Sequence, residues 1–559
     1  MNDRLSRLES EVQSLSRALE RVEDRLGSLE KRAGTQASVG TEPVATPAPV
    51  PSDSEVATGI TFAGRTLLVL GGGYLLRALT ESGALPPMAG VTLGLTYALL
   101  WLLAADRAGA KSRTLSAAFH GAAAVLVAFP LLWEATSRFQ LLSPAASAGC
   151  LAFVSGVAVS VAWRRRLRSF AWVTVVGATL TSAALLVGTR DLVSFGLLLV
   201  LVGVATLWLA YHSDWPVVHW IVAGIADATV ALLAVGLLIE RTNASPAAAL
   251  VVQLALFVLF LGSILYRVVK ERHDPGPFEV VQTGAVILVG FGGALWTAPG
   301  SLGFALGSVG IAAGAGCYAL SFSSRNLTPA GATYVSGVGF LLTLLGGAAL
   351  PFEPTLFFAL AAVGLSSLGS KLERPVLCLH GAAFVLASAI SSTLLGQAVY
   401  AFFAPAAYAW PPVGPWLLVS FLAAAFAYTF PPSRDNRWFV KWRLARLLDL
   451  AIAVLALGGI ALAAAAPWIS GRPGEGADAA SLATVRTAVV AASALALGVL
   501  GRLERFHEAS WLVYPLLVAG GIKLLLEDFP HGRAVTLFVG LALYGGALIL
   551  APRATRLSR

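Results

Sequence analysis

From Gly59 to Ala551 the chain repeats a single pattern, a run of about twenty apolar residues, a short polar or proline-bearing break, and then another apolar run. At about 1.5 Å of rise per residue, such a run makes a helix as long as the hydrocarbon of a bilayer is thick. Cutting the sequence at its breaks predicts spans near 60–79, 86–104, 115–133, 143–163, 169–188, 192–211, 217–239, 246–266, 278–297, 301–322, 328–348, 354–370, 375–394, 412–430, 443–467, 480–500, 510–527 and 533–551. The expected fold is all-α, a polytopic transmembrane helix bundle of about eighteen spans over 59–551, with a basic tail at 552–559.

Residues 1–32 follow another period. Leu5, Leu8, Val12, Leu15, Leu19, Val22, Leu26 and Leu29 alternate steps of three and four, an a/d heptad seam. Arg4 with Glu9, and Arg25 with Glu30, fall at g and the following e, so parallel copies would set opposite charges across the seam. Seven basic and seven acidic residues in this stretch leave no basic face to lie on a membrane. A cytoplasmic coiled coil, and with it a homo-oligomer, is the expectation; the leucine pattern suits dimers and trimers alike. Residues 33–58 carry Pro43, Pro47, Pro49 and Pro51 among Ala, Thr, Ser and Val, the composition of an extended spacer.

Charge orients the spans. With the N-terminus inside, the inner loops and tail collect 22 Lys and Arg, the outer loops only Arg138, Arg190, Arg241, Arg472 and Arg533. This positive-inside bias places both termini in the cytoplasm and explains the net charge of +9 without nucleic acid. No secretory signal pattern opens the sequence. Arginine outnumbering lysine, with abundant alanine, suggests a bacterial cytoplasmic (inner) membrane. Charged residues are 12% of the chain, against about 25% in soluble domains, so little solvent-exposed chemistry is expected. Cys150, Cys317 and Cys378 each sit alone in an apolar run and read as small buried hydrophobes, with no metal-ligand spacing.

Soluble catalytic motifs are absent. Gly71-Gly72-Gly73 lies within a span and lacks the Lys-Ser/Thr of a phosphate loop. No catalytic residue, cofactor or metal is therefore assigned, and the chain leans away from being an enzyme. Ionisable residues inside lipid are costly enough to be functional candidates by default. Asp227, in the middle of the seventh span, is the deepest carboxylate. His120 and His380 occur in Phe119-His120-Gly121-Ala122-Ala123-Ala124-Val125-Leu126 and Leu379-His380-Gly381-Ala382-Ala383-Phe384-Val385-Leu386, a match that suggests internal duplication. Histidine titrates near physiological pH, so the pair could relay protons or simply bond between helices. Arg446 and Asp449 stand i,i+3 and would neutralise each other. At the outer rim, Arg77, Glu81, Arg486, Lys523, Glu527, Asp528 and Arg533 could line a polar pocket, although snorkelling explains each one singly.

The coiled coil, the Pro-rich spacer, Gly64-Arg65-Thr66-Leu67-Leu68 leading to Leu76-Arg77-Ala78-Leu79-Thr80-Glu81-Ser82-Gly83, and the closing Lys523-Leu524-Leu525-Leu526-Glu527-Asp528 followed by Arg533 and Gly540 resemble the predicted bacterial membrane proteins of the domain-of-unknown-function 2339 family. The resemblance implies architecture and brings no catalytic residue. It departs at Thr181-Ser182, where a kinking proline is expected. Three functions fit: a transporter or lipid-handling channel, an envelope scaffold or sensor, and an intramembrane enzyme acting on a lipid-linked substrate.

Overall fold

The computed structural model describes residues 71–72, 78–80, 82–213, 218–240, 244–323, 327–403, 413–430, 439–469, 478–503 and 506–556. The expected coiled coil, the spacer, Arg77, Glu81 and most of the first expected span lie outside these residues. Among the described residues the chain is helical and holds no strand.

The helices, in order, are α1 (Pro87–Ala110), α2 (Thr114–Arg138), α3 (Pro144–Arg164), α4 (Arg168–Thr189), α5 (Leu192–Ser213), α6 (Val218–Leu238), α7 (Pro246–Lys270), α8 (Pro277–Thr297), α9 (Gly300–Ser323) and α10 (Pro329–Ala348). They continue as α11 (Pro354–Lys371), α12 (Pro375–Ser391), α13 (Leu394–Phe403), α14 (Pro415–Thr429), α15 (Phe439–Ile469), α16 (Ala479–Leu500), α17 (Ala509–His531) and α18 (Ala534–Arg556). Each expected span from 86–104 onward overlaps one of them, except that 375–394 runs through the break between α12 and α13. Fourteen are long and apolar enough to cross a membrane, or fifteen if the bent pair α12 and α13 is one span. α11 and α14, of 18 and 15 residues, stand outside that number.

Local chemistry sets where the helices start. Ser143, Ser245 and Thr328 each precede a proline, and each side-chain oxygen accepts the amide three residues on, of Ala146, Ala248 and Gly331. The proline then fills the first helical position, where a missing N–H costs nothing. At several helix ends a non-glycine residue turns left-handed, as at Ser112, Arg166, Arg190 and Arg272, and reverses the chain within a few residues. α4 runs unbroken past Thr181-Ser182, where no proline removes a backbone donor, and the Ser182 hydroxyl folds back onto the Ala178 carbonyl at 2.6 Å.

Large apolar side chains point outward throughout, among them Leu180, Val187, Trp296 and Phe538. Such a surface would aggregate in water and is what a lipid-facing surface needs. Inward, the helices pack in overlapping groups that follow chain order. One group runs from Ala98 to Val222, the next from Leu199 to Leu342, a third from Phe358 to Ala456 and a fourth from Tyr428 to Ala551. Lipid gives helices little hydrophobic reason to associate, so close backbone contact must hold them. α9 and α10 show this best: Gly307 meets Gly346 and Gly314 meets Gly339 so closely that a Cβ at Gly346 would sit 2.5 Å from the Gly307 carbonyl oxygen.

α12 and α13 meet at a break of 64°, where Thr393 takes a φ of 60°. The Thr393 amide turns to the Ile390 carbonyl, and Ser392 Oγ donates at 3.3 Å to the Ala389 carbonyl that loses its helical donor, while the Ser388 carbonyl keeps the Ser392 amide and gains a second donor. Ser420 Oγ of α14 donates to the Ser388 carbonyl at 2.9 Å, and the Ser388 and Ser420 hydroxyls bond at 2.8 Å in full burial. A helix can stop inside a membrane only where protein groups replace its lost bonds in this way.

Candidate functional site

The three intramembrane candidates fall in separate surroundings. Asp227 of α6 is half-buried and accepts a hydrogen bond from Gln282 Nε2 of α8 at 3.1 Å. Near it the Thr283 and Tyr334 hydroxyls bond to each other, joining α8 to α10. Arg267, at the end of α7, lies 3.9 Å over the Tyr211 ring of α5 and 3.5 Å from Glu279 at the start of α8. His120 of α2 sits 3.2 Å from Ser116 of its own helix and against the Trp101 ring of α1. His380 of α12 bonds the Tyr318 hydroxyl of α9 at 3.0 Å and stacks on Phe340 of α10. The two histidines thus share a sequence motif and have different neighbours.

The end of the bundle where α16 begins and α17 finishes is built differently. Arg486, 3% exposed, donates from Nη1 to Glu527 Oε1 at 2.5 Å and from Nε to the Ala401 carbonyl of α13 at 2.8 Å. Lys523 Nζ reaches Asp528 Oδ2 at 2.6 Å, Thr487 Oγ1 at 2.7 Å, Glu527 Oε2 at 3.4 Å and the Ala483 carbonyl. Thr487 in turn donates to Asp528 Oδ2 at 2.9 Å. Two cations and two carboxylates therefore balance with their polar atoms engaged, the condition under which charge survives burial. A π-helical stretch, Leu524–Asp528, makes this closure geometric, since one extra residue per turn brings Asp528 back over Lys523.

Four of the seven rim residues expected from sequence are thus assembled: Arg486, Lys523, Glu527 and Asp528. Arg533 stands apart, exposed, and pairs with Asp478 at 3.1 Å. Thr487, Gln282, Thr283 and Tyr334 escaped the sequence reading because uncharged polar residues cost little in a span. The Ala401 carbonyl leaves no trace in sequence at all. At the opposite ends of α15 and α17 a further group forms, in which Arg443 and Arg446 each lie 3.8 Å from Glu508 and Arg446 covers the Tyr428 ring. Arg446, which the spacing linked to Asp449, thus lies beside the carboxylate of Glu508, the residue before α17. Among the described residues no group of His, Cys, Asp or Glu has the arrangement to hold a metal ion.

The family model described as "Predicted membrane protein (DUF2339)" matches residues 58–556. The chain belongs to this DUF2339 family. No curated protein and no solved structure matches it. For this DUF2339 member, the matched region contains every residue of the assembled network, so the network lies within the family domain.

Asp478, at the rim and outside the spans, gives a pH effect. The Ser481 hydroxyl and amide bind its carboxylate at 2.8 and 3.1 Å, and these bonds hold it below the usual carboxylate range. A lowered folded pKa contributes stability above the unfolded value of about 3.9 and loses it as pH falls through the folded value. Hydrogen exchange in the first turn of α16, corrected for intrinsic rate, should stay constant from neutral pH down to about 4 and accelerate below. Asp478→Asn should abolish that acid dependence.

Proposed function

We propose that this multi-pass membrane protein is a transporter or lipid-handling channel of the cytoplasmic membrane, with about eighteen spans, both termini inside, and self-association through residues 1–32. The observation that carries the reading is the broken helix α12–α13, whose last-turn carbonyl at Ala401 is held by Arg486 of the charged network. Discontinuous helices are the places where membrane transporters present backbone polar groups to a substrate. Here the helix end, with its partial negative charge, meets a guanidinium already shared with Glu527. A substrate or proton that takes over Glu527 would free Arg486 and with it α13. Two bound states of one network are what coupled movement needs.

Complementation of a deletion strain tests this. Glu527→Gln and Asp528→Asn should each lose complementation while the protein stays in the membrane at its normal level. Deleting residues 1–32 should weaken complementation without abolishing it. If both carboxamide variants complement fully and the deletion of 1–32 does not, the transport reading fails and the scaffold or sensor reading takes its place.

A further inference from the structure

A trough on the flank of α3 is used by nothing described so far. Its floor is Ala152, Gly156 and Ser160, one face of α3 at a spacing of four. It has two lobes that share this floor. One, of about 400 Å³, is walled by α4 and α5 through Thr174, Leu198 and Trp208. The other, of about 670 Å³, is walled by α1 through Leu99 and Leu103. Both volumes fall in the range of about 300–1,000 Å³ that holds small molecules.

The trough changes character along its length. Its deep part is apolar. Towards the end of α3 it reaches Trp163 on one side and Arg164 with Asp106 on the other. Asp106 is taken up by Arg164 at 2.6 Å and Arg165 at 2.8 Å. Exposed Arg107, Lys111, Arg113, Arg166 and Arg168 lie in the same two helix ends and turns, which contain no other carboxylate. From Ala152 to Arg164 the helix rises about 18 Å, close to the thickness of about 15 Å of one leaflet's hydrocarbon.

We propose that this trough binds one anionic phospholipid, an acyl chain in each lobe and the phosphate among the arginines at the α3–α4 turn. Two apolar lobes side by side on one face of α3, both running towards its arginine-rich end, suit the two chains of a diacyl lipid. The surplus of positive charge at the mouth selects an anionic headgroup over a zwitterionic one. The tryptophan at the mouth suits the headgroup level, where its ring is apolar and its N–H polar. This is a resident lipid, independent of the network on α13, α16 and α17.

Gly156 provides the test, because it lines both lobes and a Cβ built on it meets nothing within 4 Å. Gly156→Leu therefore fills the trough without displacing a helix. The purified full chain would be exchanged into nanodiscs of equal dioleoyl phosphatidylglycerol and dioleoyl phosphatidylcholine, then released for native mass spectrometry to count retained lipid. We expect retained phosphatidylglycerol to exceed phosphatidylcholine about fivefold or more. Gly156→Leu should reduce retained phosphatidylglycerol about tenfold at an unchanged melting temperature. Arg166→Gln with Arg168→Gln should bring the two lipids towards equality. Should Gly156→Leu fail to fold, Ser160→Leu serves, since that hydroxyl bonds only to Gly156 of its own helix. Equal retention of the two lipids by the native chain overturns the proposal. So does normal phosphatidylglycerol retention in a folded Gly156→Leu or Ser160→Leu protein, which would reduce the effect to general surface charge.

Discussion

Arg486→Met should lower the stability of the purified protein by about 3–5 kcal/mol, the cost of breaking a buried ion pair from one side. Three losses coincide. Glu527 loses its 2.5 Å partner, the Ala401 carbonyl loses its donor at the end of α13, and one lysine must balance two carboxylates. Glu527 keeps 24% of its side chain exposed, so partial solvation draws the expected cost to the lower end of that range. Adding Glu527→Gln to Arg486→Met should recover much of the loss, because the remaining lysine and aspartate again balance. Arg486→Lys should fall between, since an ammonium cannot reach both the carbonyl and the carboxylate from the two edges that the guanidinium uses. Equilibrium unfolding in a mixed detergent titration reads all three. A loss below about 0.5 kcal/mol for Arg486→Met, the size of an exposed pair, would show that the network is solvated and not buried.

The second large effect belongs to the glycine seam between α9 and α10. A side chain at Gly346 would meet the Gly307 carbonyl at 2.5 Å and the Ile311 amide at 3.0 Å, both backbone atoms that cannot rotate away. Gly346→Val should therefore force the helices apart, at a cost above the about 1–3 kcal/mol of ordinary overpacking. α10 also carries Tyr334, bonded to Thr283 of α8 beside Asp227's partner Gln282, so a displaced α10 should loosen the Asp227 surroundings. Gly337 of the same helix is the control, since a Cβ there meets nothing within 4 Å. Gly337→Ala should be neutral or slightly stabilising, because alanine is the better helix former. Melting temperatures of the two variants in one detergent should separate widely. Equal values would remove backbone contact as the force joining these helices.

Much of the architecture could be read from the sequence because lipid imposes one rule on every span. A helix must be about twenty apolar residues long, and proline or charge must interrupt it. The starts of α3, α7 and α10 were marked by Ser-Pro or Thr-Pro. The break between α12 and α13 was not, because Ser391, Ser392 and Thr393 are uncharged and include no proline or glycine, and the turn depends on hydroxyls from α11 and α14. The rim network was legible as charge, since Arg486, Lys523, Glu527 and Asp528 are expensive wherever they are buried. Its closure was not, because a π-helical turn shifts register by one residue and leaves no compositional sign. Asp227, His120 and His380 were singled out for the same cost. Which neighbours they meet depends on helix rotation, which a nearly all-apolar sequence encodes only weakly: Gln282 faces Asp227, whereas the matched histidine motifs pack against tryptophan in one case and phenylalanine in the other.

The overlapping packed groups bear on how the chain is made. Each group draws on consecutive segments, and neighbouring groups share the helices at their boundary. A chain entering the bilayer from its N-terminal end can therefore complete the group ending at Val222 while the segment beyond Leu342 is still on the ribosome. Each newly threaded pair of helices then docks onto a finished surface. The costly charges of α16 and α17 arrive late, when the α13 carbonyl that receives Arg486 is already in the membrane.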